Sequence, residues 1–468
     1  MANGQNRYIK LLADIKEALA GTEQDFTSGS LGRAIFLLSV PMVLEMMMES
    51  IFAIVDIYFV GRISTQAVAT VGITESLITL VYAFGVGFSM ATTAVVSRRI
   101  GEKDRDGAAV AAFQSILTGV VVSLVIAIPG MLYAGELLKL MGASEEIYTE
   151  MSSYTAIMLG GNAVIMLLFI INAVFRSAGD AAISMRVLLV ANGLNIILDP
   201  LLIFGFGPIP AMGITGAAIA TNIGRGIAVI YQFYLLFNGK KRVQLLVRHI
   251  EVNLATIQKL IRISMGGIGQ YVIATSSWIF LMRIMAEFGD AAVAGYTIAI
   301  RVIIFTLLPS WGISNAAATL VGQNLGAKQP DRAQKSVWTT GRINMVMMGI
   351  ISVVLFTMPG YFMGMFTSEP EVISNGVLCL RVLSLGFILY GLGMVLVQAL
   401  NGAGDTYTPT RINLVCFWMI EIPLAYMLAK MTGLNEQGVY VAIVVSESIM
   451  TLIALWYFRR GKWKLKSV

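Results

Sequence analysis

Charge and histidine are what this chain of 468 residues has least of. Only 13% of it is charged, against roughly 25% in ordinary soluble domains, and His249 is its single histidine. One histidine and two cysteines leave no metal-spaced His/Cys set and no disulfide framework. A nucleophile–base constellation and a phosphate-cradling glycine loop are missing too, so neither an enzyme nor an ATP-driven machine is expected, and no cofactor. The net charge of +6 forms no concentrated basic patch, so nucleic acid is not expected as a partner. Residues 1–33 are polar, and no signal peptide precedes the first apolar run.

Apolar length is what the chain has instead. Hydrophobic residues make up 57% of it, gathered in blocks of the length needed to cross a bilayer core of roughly 30 Å. Twelve blocks can be marked: 34–60, 67–96, 108–134, 153–175, 182–205, 214–238, 257–285, 291–322, 332–358, 376–400, 407–430 and 437–458. Lipid offers no hydrogen bonds, so each block has to satisfy its own backbone as a helix, and the alternating ten-residue strands of an outer-membrane barrel are missing. Cys379 and Cys416 fall inside such blocks and read as packing residues. The stretch from Arg7 to Ala20 has amphipathic helical spacing and reads as a short helix on the membrane surface or in the cytoplasm.

Basic residues fall on alternate loops. Arg7, Lys10, Lys16 and Arg33 precede the first block; Arg98, Arg99, Lys103 and Arg105 follow the second. Lys240, Lys241, Arg242 and Arg248 follow the sixth, Lys328, Arg332 and Lys335 the eighth, and five more basic residues fill 459–468. The positive-inside rule then places both termini in the cytoplasm of a multi-pass protein of the plasma (inner) membrane, which agrees with an even number of spans.

The chain also repeats itself at a shift of 225 residues. Ser39 meets Ser264, Gly87 and Ser89 meet Gly312 and Ser314, IGEKDRDGA (100–108) meets LGAKQPDRA (325–333), and FRSAGD (175–180) meets LNGAGD (400–405). Arg186 meets Arg411, after which a two-residue deletion brings Pro200 onto Pro423. Each repeat holds six spans, so both insert with the same orientation. The fold expected is an all-α polytopic membrane protein of twelve transmembrane helices, in two six-helix lobes related by a pseudo-two-fold axis along the membrane normal. The N-lobe is 34–238, the C-lobe 257–458, and 239–256 is the linker, where His249 reads as a solvated surface residue.

Polar residues inside the spans are the functional candidates. Glu45, Glu49 and Asp56 of the first block fall at about 0°, 40° and 20° around a helix of 3.6 residues per turn, one narrow face. A charge at a helix centre costs roughly 2.5–3.5 kcal/mol on insertion scales, so that face must point to a cavity or a partner, with protonation a second way to lower the cost. The competing reading pairs these acids with Arg176 or Arg225. Asn192, Asn195 and Asp199 share one face of the fifth span, where Pro200 removes a backbone donor, and Thr221 and Asn222 interrupt the small-residue run of the sixth. Carboxylate, amide, hydroxyl and carbonyl oxygens are the donors a hard cation wants, although the amides and Thr221 would serve helix–helix hydrogen bonding equally well. In the second half Glu45, Glu49 and Asp56 become Gln270, Ala274 and Leu281, and Asp199 becomes Ile422 beside Glu421. The acidic chemistry is therefore expected in one lobe only. Met46, Met47 and Met48 offer an adaptable pocket wall or lipid-facing packing.

Pro41 with VDIYFVGRIS (55–64), SRRIGEKD (97–104), NAVFRSAGD (172–180), LNIILDP (194–200) and GITGAAIAT (213–221) resemble the multidrug and toxic compound extrusion (MATE) family, on its DinF-like side. The resemblance implies a two-lobed antiporter that exports organic, often cationic compounds against inward H⁺ or Na⁺ flow. It implies a cation-coupling set of Asp56, Asn195, Asp199 and Thr221, which would hold Na⁺ if sodium is the coupling ion, with Asn172 joining that network. Ile273 stands where one branch of the family carries a glutamate. Glu45, Glu49, Asn192 and Met46 are the candidates for substrate contact, and a monomer in the bilayer is expected. A flippase for lipid-linked sugars is the alternative; it needs a basic cavity, for which Arg301 and Arg381 are candidates.

Overall fold

The computed structural model describes residues 12–21, 25–238 and 242–468. The apolar blocks are helices throughout, and the described residues form no strand beyond one isolated bridge between Phe206 and Ile209. In the first lobe these are α1 (Leu31–Val60), α2 (Thr65–Gly101), α3 (Arg105–Leu132), α4 (Ser152–Ala178), α5 (Ala181–Phe204) and α6 (Gly213–Phe237). The second lobe has α7 (Leu254–Met285), α8 (Asp290–Gly326), α9 (Pro330–Thr357), α10 (Pro370–Ser384 with Phe387–Gly402), α11 (Tyr407–Met431) and α12 (Glu436–Arg459). Polar side chains set several starts by accepting from backbone N–H groups that the first turn leaves free. Ser64 takes Ala67, Asp104 takes Gly107 and Asn253 takes Thr256, each within 3.0 Å.

Three spans depart from uninterrupted helices. Rather than one run over 376–400, α10 bends by 58° between Ser384 and Phe387. Its counterpart α4 is interrupted at Gly161, and Gly386, in the α10 break, is the residue 225 further on. α11 is wound as a π-helix over Leu414–Glu421, the stretch where the internal register slips by two residues.

The 225-residue repeat recurs in the packing. A Cβ on Gly101 would collide with the backbone of Gln323, and one on Gly326 with the backbone of Arg98. These are the same contact made twice, since both members of each pair differ by 225. Gly87 presses on Ser264 and Ile268 of α7, and Gly312 on Met42 and Val43 of α1, again equivalents. Lys103 and Lys328 even share a left-handed backbone, at φ 61° and 58°, a conformation that costs a non-glycine residue roughly 1–2 kcal/mol. Each lobe thus lends its first helix to the other: α1 lies along α8 and α5, and α7 along α2.

The seam is tied at one end. Gln323 donates to the Ser177 carbonyl at 2.8 Å, and Arg98 to the carbonyls of Lys466 at 2.9 Å and Ala403 at 3.4 Å. Arg332 of the second lobe donates to the Ser28 carbonyl at 2.7 Å. Each of these contacts lies in the half of the bundle that carries the termini; among the described residues no hydrogen bond or ion pair joins the lobes in the far half.

The helix over 12–20, the described part of the amphipathic stretch, docks on protein. Ala18 and Phe26 are buried with Ala181 of α5 and Leu320 of α8, and Arg186 donates to the Leu19 and Ala20 carbonyls at 2.7 and 2.5 Å. Arg7 and Lys10 of that stretch, and Lys240 and Lys241 of the linker, lie outside the described residues.

His249 corrects its expectation. It is only 4% exposed, with Nδ1 accepting from the Leu246 N–H at 3.1 Å and Nε2 lying 3.0 Å from Asp106. A lone histidine in a basic linker reads as solvated because its partner stands 143 residues earlier, at the start of α3.

Cys379 and Cys416 are both buried and free. Maleimide should therefore label neither thiol in the folded protein and both after denaturation; rapid labelling of the native protein would contradict their placement.

Candidate functional site

Small residues let α5 and α6 approach closely. Gly216 and Gly224, eight residues apart on one face of α6, leave no room for a Cβ against the backbone of Leu202 and Ala191 on α5. That approach carries Thr221 to Asn195. The Asn195 amide donates to Asp199 Oδ1 at 3.0 Å and lies 3.4 Å from Thr221 Oγ1. Asp199 is 0% exposed, and no basic group pairs with it among the described residues. Its Oδ2 and the Asn195 Oδ1 are buried without a partner. Two orphaned acceptors side by side, one on a carboxyl group, form a cradle for a proton or a small cation, because an unmet buried acceptor costs about 1–3 kcal/mol and a charged one more.

The three acids of α1 have different fates. Glu45, 2% exposed, forms an ion pair with Arg176 of α4 and also accepts from Asn172 at 3.2 Å. Asn172 in turn accepts from Gln232 at 2.7 Å, and Arg176 reaches Ser89 at 3.2 Å. One turn on, half-buried Glu49 pairs with Arg225 of α6 at 3.0 Å, whose guanidinium sits 4.6 Å over the Phe52 ring. Asp56, 9% exposed, makes no hydrogen bond or ion pair among the described residues. Its electrostatic neighbours are Asp199, Glu75 and Arg225. Along one stripe two acids are paired with arginines, and the third has no ion-pair partner among the described residues and lies within electrostatic reach of Asp199.

The expected coupling set is thus divided. Asn195, Asp199 and Thr221 come together with Asp56 beside them, whereas Asn172 belongs to the Glu45–Arg176 network. Asn192 donates to the Met48 carbonyl at 2.7 Å and ties α5 to α1; Met46 is half-buried. No group of three or more His, Cys, Asp or Glu converges among the described residues, so a sodium ion would rest on mixed carboxylate, amide and hydroxyl oxygens. Gln232 and Glu75 were missed, although each interrupts an apolar run and was visible for that reason. Confinement of buried acid to the first lobe is corrected as well: Glu421 of α11 is buried, accepts from Ser277 at 3.2 Å and has Glu447 of α12 as an electrostatic neighbour. What the second lobe lacks is the acidic stripe along its first helix.

Twelve spans in two equivalent lobes, meeting at one end around buried polar groups, define a polytopic membrane transporter rather than an enzyme. The chain belongs to the MatE family, whose model matches residues 41–201 and 268–427, one segment in each lobe. It is 25% identical over 437 residues to the probable multidrug resistance protein NorM of Thermotoga maritima, covering 92% of this chain and 93% of that one. Its identity to the multidrug export protein MepA of Staphylococcus aureus is 24% over 434 residues, covering 92% and 94%. The fold matches that of a multidrug resistance MATE family transporter in an outward-facing conformation, with a TM-score of 0.87 at 22% identity over 94% of this chain and 98% of that one.

Proposed function

We propose that this protein is a secondary antiporter of the plasma membrane that exports organic, cationic and amphipathic compounds in exchange for H⁺ or Na⁺. The coupling ion is held at Asp56 and Asp199, with Asn195 and Thr221 completing the site. The observation that carries this reading is the contrast along α1 and α5: Glu45, despite an unpartnered Oε2, and Glu49 each have an arginine partner, while Asp199 has no basic partner among the described residues and keeps an unsatisfied Oδ2, as the neighbouring Asn195 keeps an unsatisfied Oδ1. A carboxyl group without a counterion is the one whose occupancy can change as the pocket's charge changes. The printed names of the relatives, a multidrug resistance protein and a multidrug export protein, support the substrate class.

Both termini lie in the cytoplasm on this reading, following the basic loops. The tied end of the seam then faces inwards, and the protein works as a monomer. A one-for-one exchange of H⁺ or Na⁺ for a monovalent organic cation moves no net charge, so the ion's concentration gradient drives it, and a tenfold gradient, about 1.4 kcal/mol, sustains about tenfold accumulation. The lipid-linked-sugar alternative needs free cationic groups in the cavity; of its candidates, Arg301 has the acid Glu75 as an electrostatic neighbour and exposed Arg381 donates to the Phe356 carbonyl at 3.4 Å, while Arg176 and Arg225 are occupied by Glu45 and Glu49. Ethidium efflux from proteoliposomes, with the H⁺ and Na⁺ gradients imposed separately, tests the proposal. One of the two gradients should drive transport; efflux that ignores both would end it.

A further inference from the structure

The Glu45–Arg176 pair has a counterpart. Adding 225 turns Glu45 into Gln270 and Arg176 into Asn401, and these two side chains also meet. The Gln270 amide donates to Asn401 Oδ1 at 3.0 Å, and the Asn401 amide returns a bond to Gln270 Oε1 at 3.2 Å. Each pair joins the first helix of its lobe to the fourth, in one case with opposite charges and in the other with reciprocal amides. The two lie back to back. Arg176 and Asn401 line the same cavity of about 30 Å³ at the seam, with Ser89, Asn315 and Gln398, room for a water or two.

We infer that Glu45 and Arg176 are positioning residues, the first-lobe form of a clamp that both lobes possess, and that the Glu45 carboxyl group takes neither coupling ion nor substrate. The seam explains why a clamp is needed. α1 rests on α8 of the opposite lobe through Val43 and Gly312, and α7 rests on α2 through Ile268 and Gly87. When the lobes part, each of these helices has to slide on a foreign neighbour and travel with its own lobe. A fixed tie to the fourth helix, two residues from the sliding contact in each lobe, makes that choice. The tie also sets the rotation of α1, and Asp56 lies on the same face as Glu45, so the clamp acts on the coupling site through the direction in which Asp56 points.

The internal equivalence supplies the test. Glu45→Gln leaves a buried arginine without its counterion, and Arg176→Asn leaves a buried carboxylate; removing one partner of such a pair is strongly disruptive because it strands a buried charge, while removing both charges together strands none. Each single variant should lose at least about tenfold in ethidium efflux from proteoliposomes. The double variant Glu45→Gln/Arg176→Asn, which carries the amide pair of the other lobe, should return to within about threefold of the parent, with an unchanged pH profile. The converse double, Gln270→Glu/Asn401→Arg, should also transport and covers the case in which the first fails to fold. A monodisperse double variant no better than Glu45→Gln, or one with a displaced pH profile, would make the Glu45 carboxyl group a working group and overturn the inference. Full efflux by Glu45→Gln alone would overturn it too. Loss of transport in Asp199→Asn reports on the ion site separately, so the two claims can fail independently.

Discussion

Asp199→Asn is expected to abolish coupled export while leaving the protein folded. The substitution keeps the shape and hydrogen-bonding reach of the side chain and removes only its capacity to hold a charge, a proton or a cation. Asp199 has no basic partner among the described residues, so no buried counterion is stranded, and thermal stability should hold or rise, since an unpaired buried carboxyl group is a cost to the fold. The effect falls on coupling: the roughly tenfold accumulation that a tenfold ion gradient can sustain should collapse to none. Asp56→Asn should behave alike, because Asp56 is an electrostatic neighbour of Asp199 and makes no hydrogen bond or ion pair among the described residues. Paired transport and melting measurements on purified protein check this. Undiminished accumulation by Asp199→Asn would remove the basis of the ion site.

Gly101→Leu and Gly326→Leu should each cost at least about tenfold in transport, and in the same manner. Either side chain would be driven into the backbone of the opposite lobe, where packing at interior density gives no room for added carbons. The lobes could then no longer close at the end that carries the termini. A cysteine placed at Ser97, which is buried in this state, should become reactive to a membrane-impermeant maleimide added from that side in both variants. Gly72→Leu is the control, because nothing stands within 4 Å of its would-be Cβ. If the two seam glycines behave differently from each other, the two-fold equivalence of their contacts is wrong.

Much of the architecture was legible before any coordinates. Apolar block length gave the spans, and one offset kept through polar loops gave the two lobes; the same offset reappears in contacts as fine as Gly101–Gln323 and Gly326–Arg98. The bend of α10 was not seen, although Gly386 lies 225 residues beyond the Gly161 break of α4. Site residues were legible as faces rather than as networks. The spacing Asn195–Asp199 fixes one stripe on α5 and says nothing of which helix covers it, so Thr221 was placed with them by resemblance, and by the same route Asn172 was expected there. Asn172 lies on α4, which faces Glu45. Arginine partners for Glu45 and Glu49 could be named because so few intramembrane bases exist. The burial of His249 could not be read, because its partner is remote in sequence, and Glu421 was passed over because it sits one residue from the position aligned with Asp199.

Competition between ion and substrate at Asp56 and Asp199 is the central claim, and ion release on substrate binding tests it most directly. Ethidium is titrated into the purified protein in weakly buffered detergent solution while a pH indicator and a sodium electrode follow the free ions. The parent protein should release about one H⁺ or one Na⁺ per ethidium bound, and Asp199→Asn should release neither. Saturable ethidium binding by the parent with no release of either ion would contradict the account.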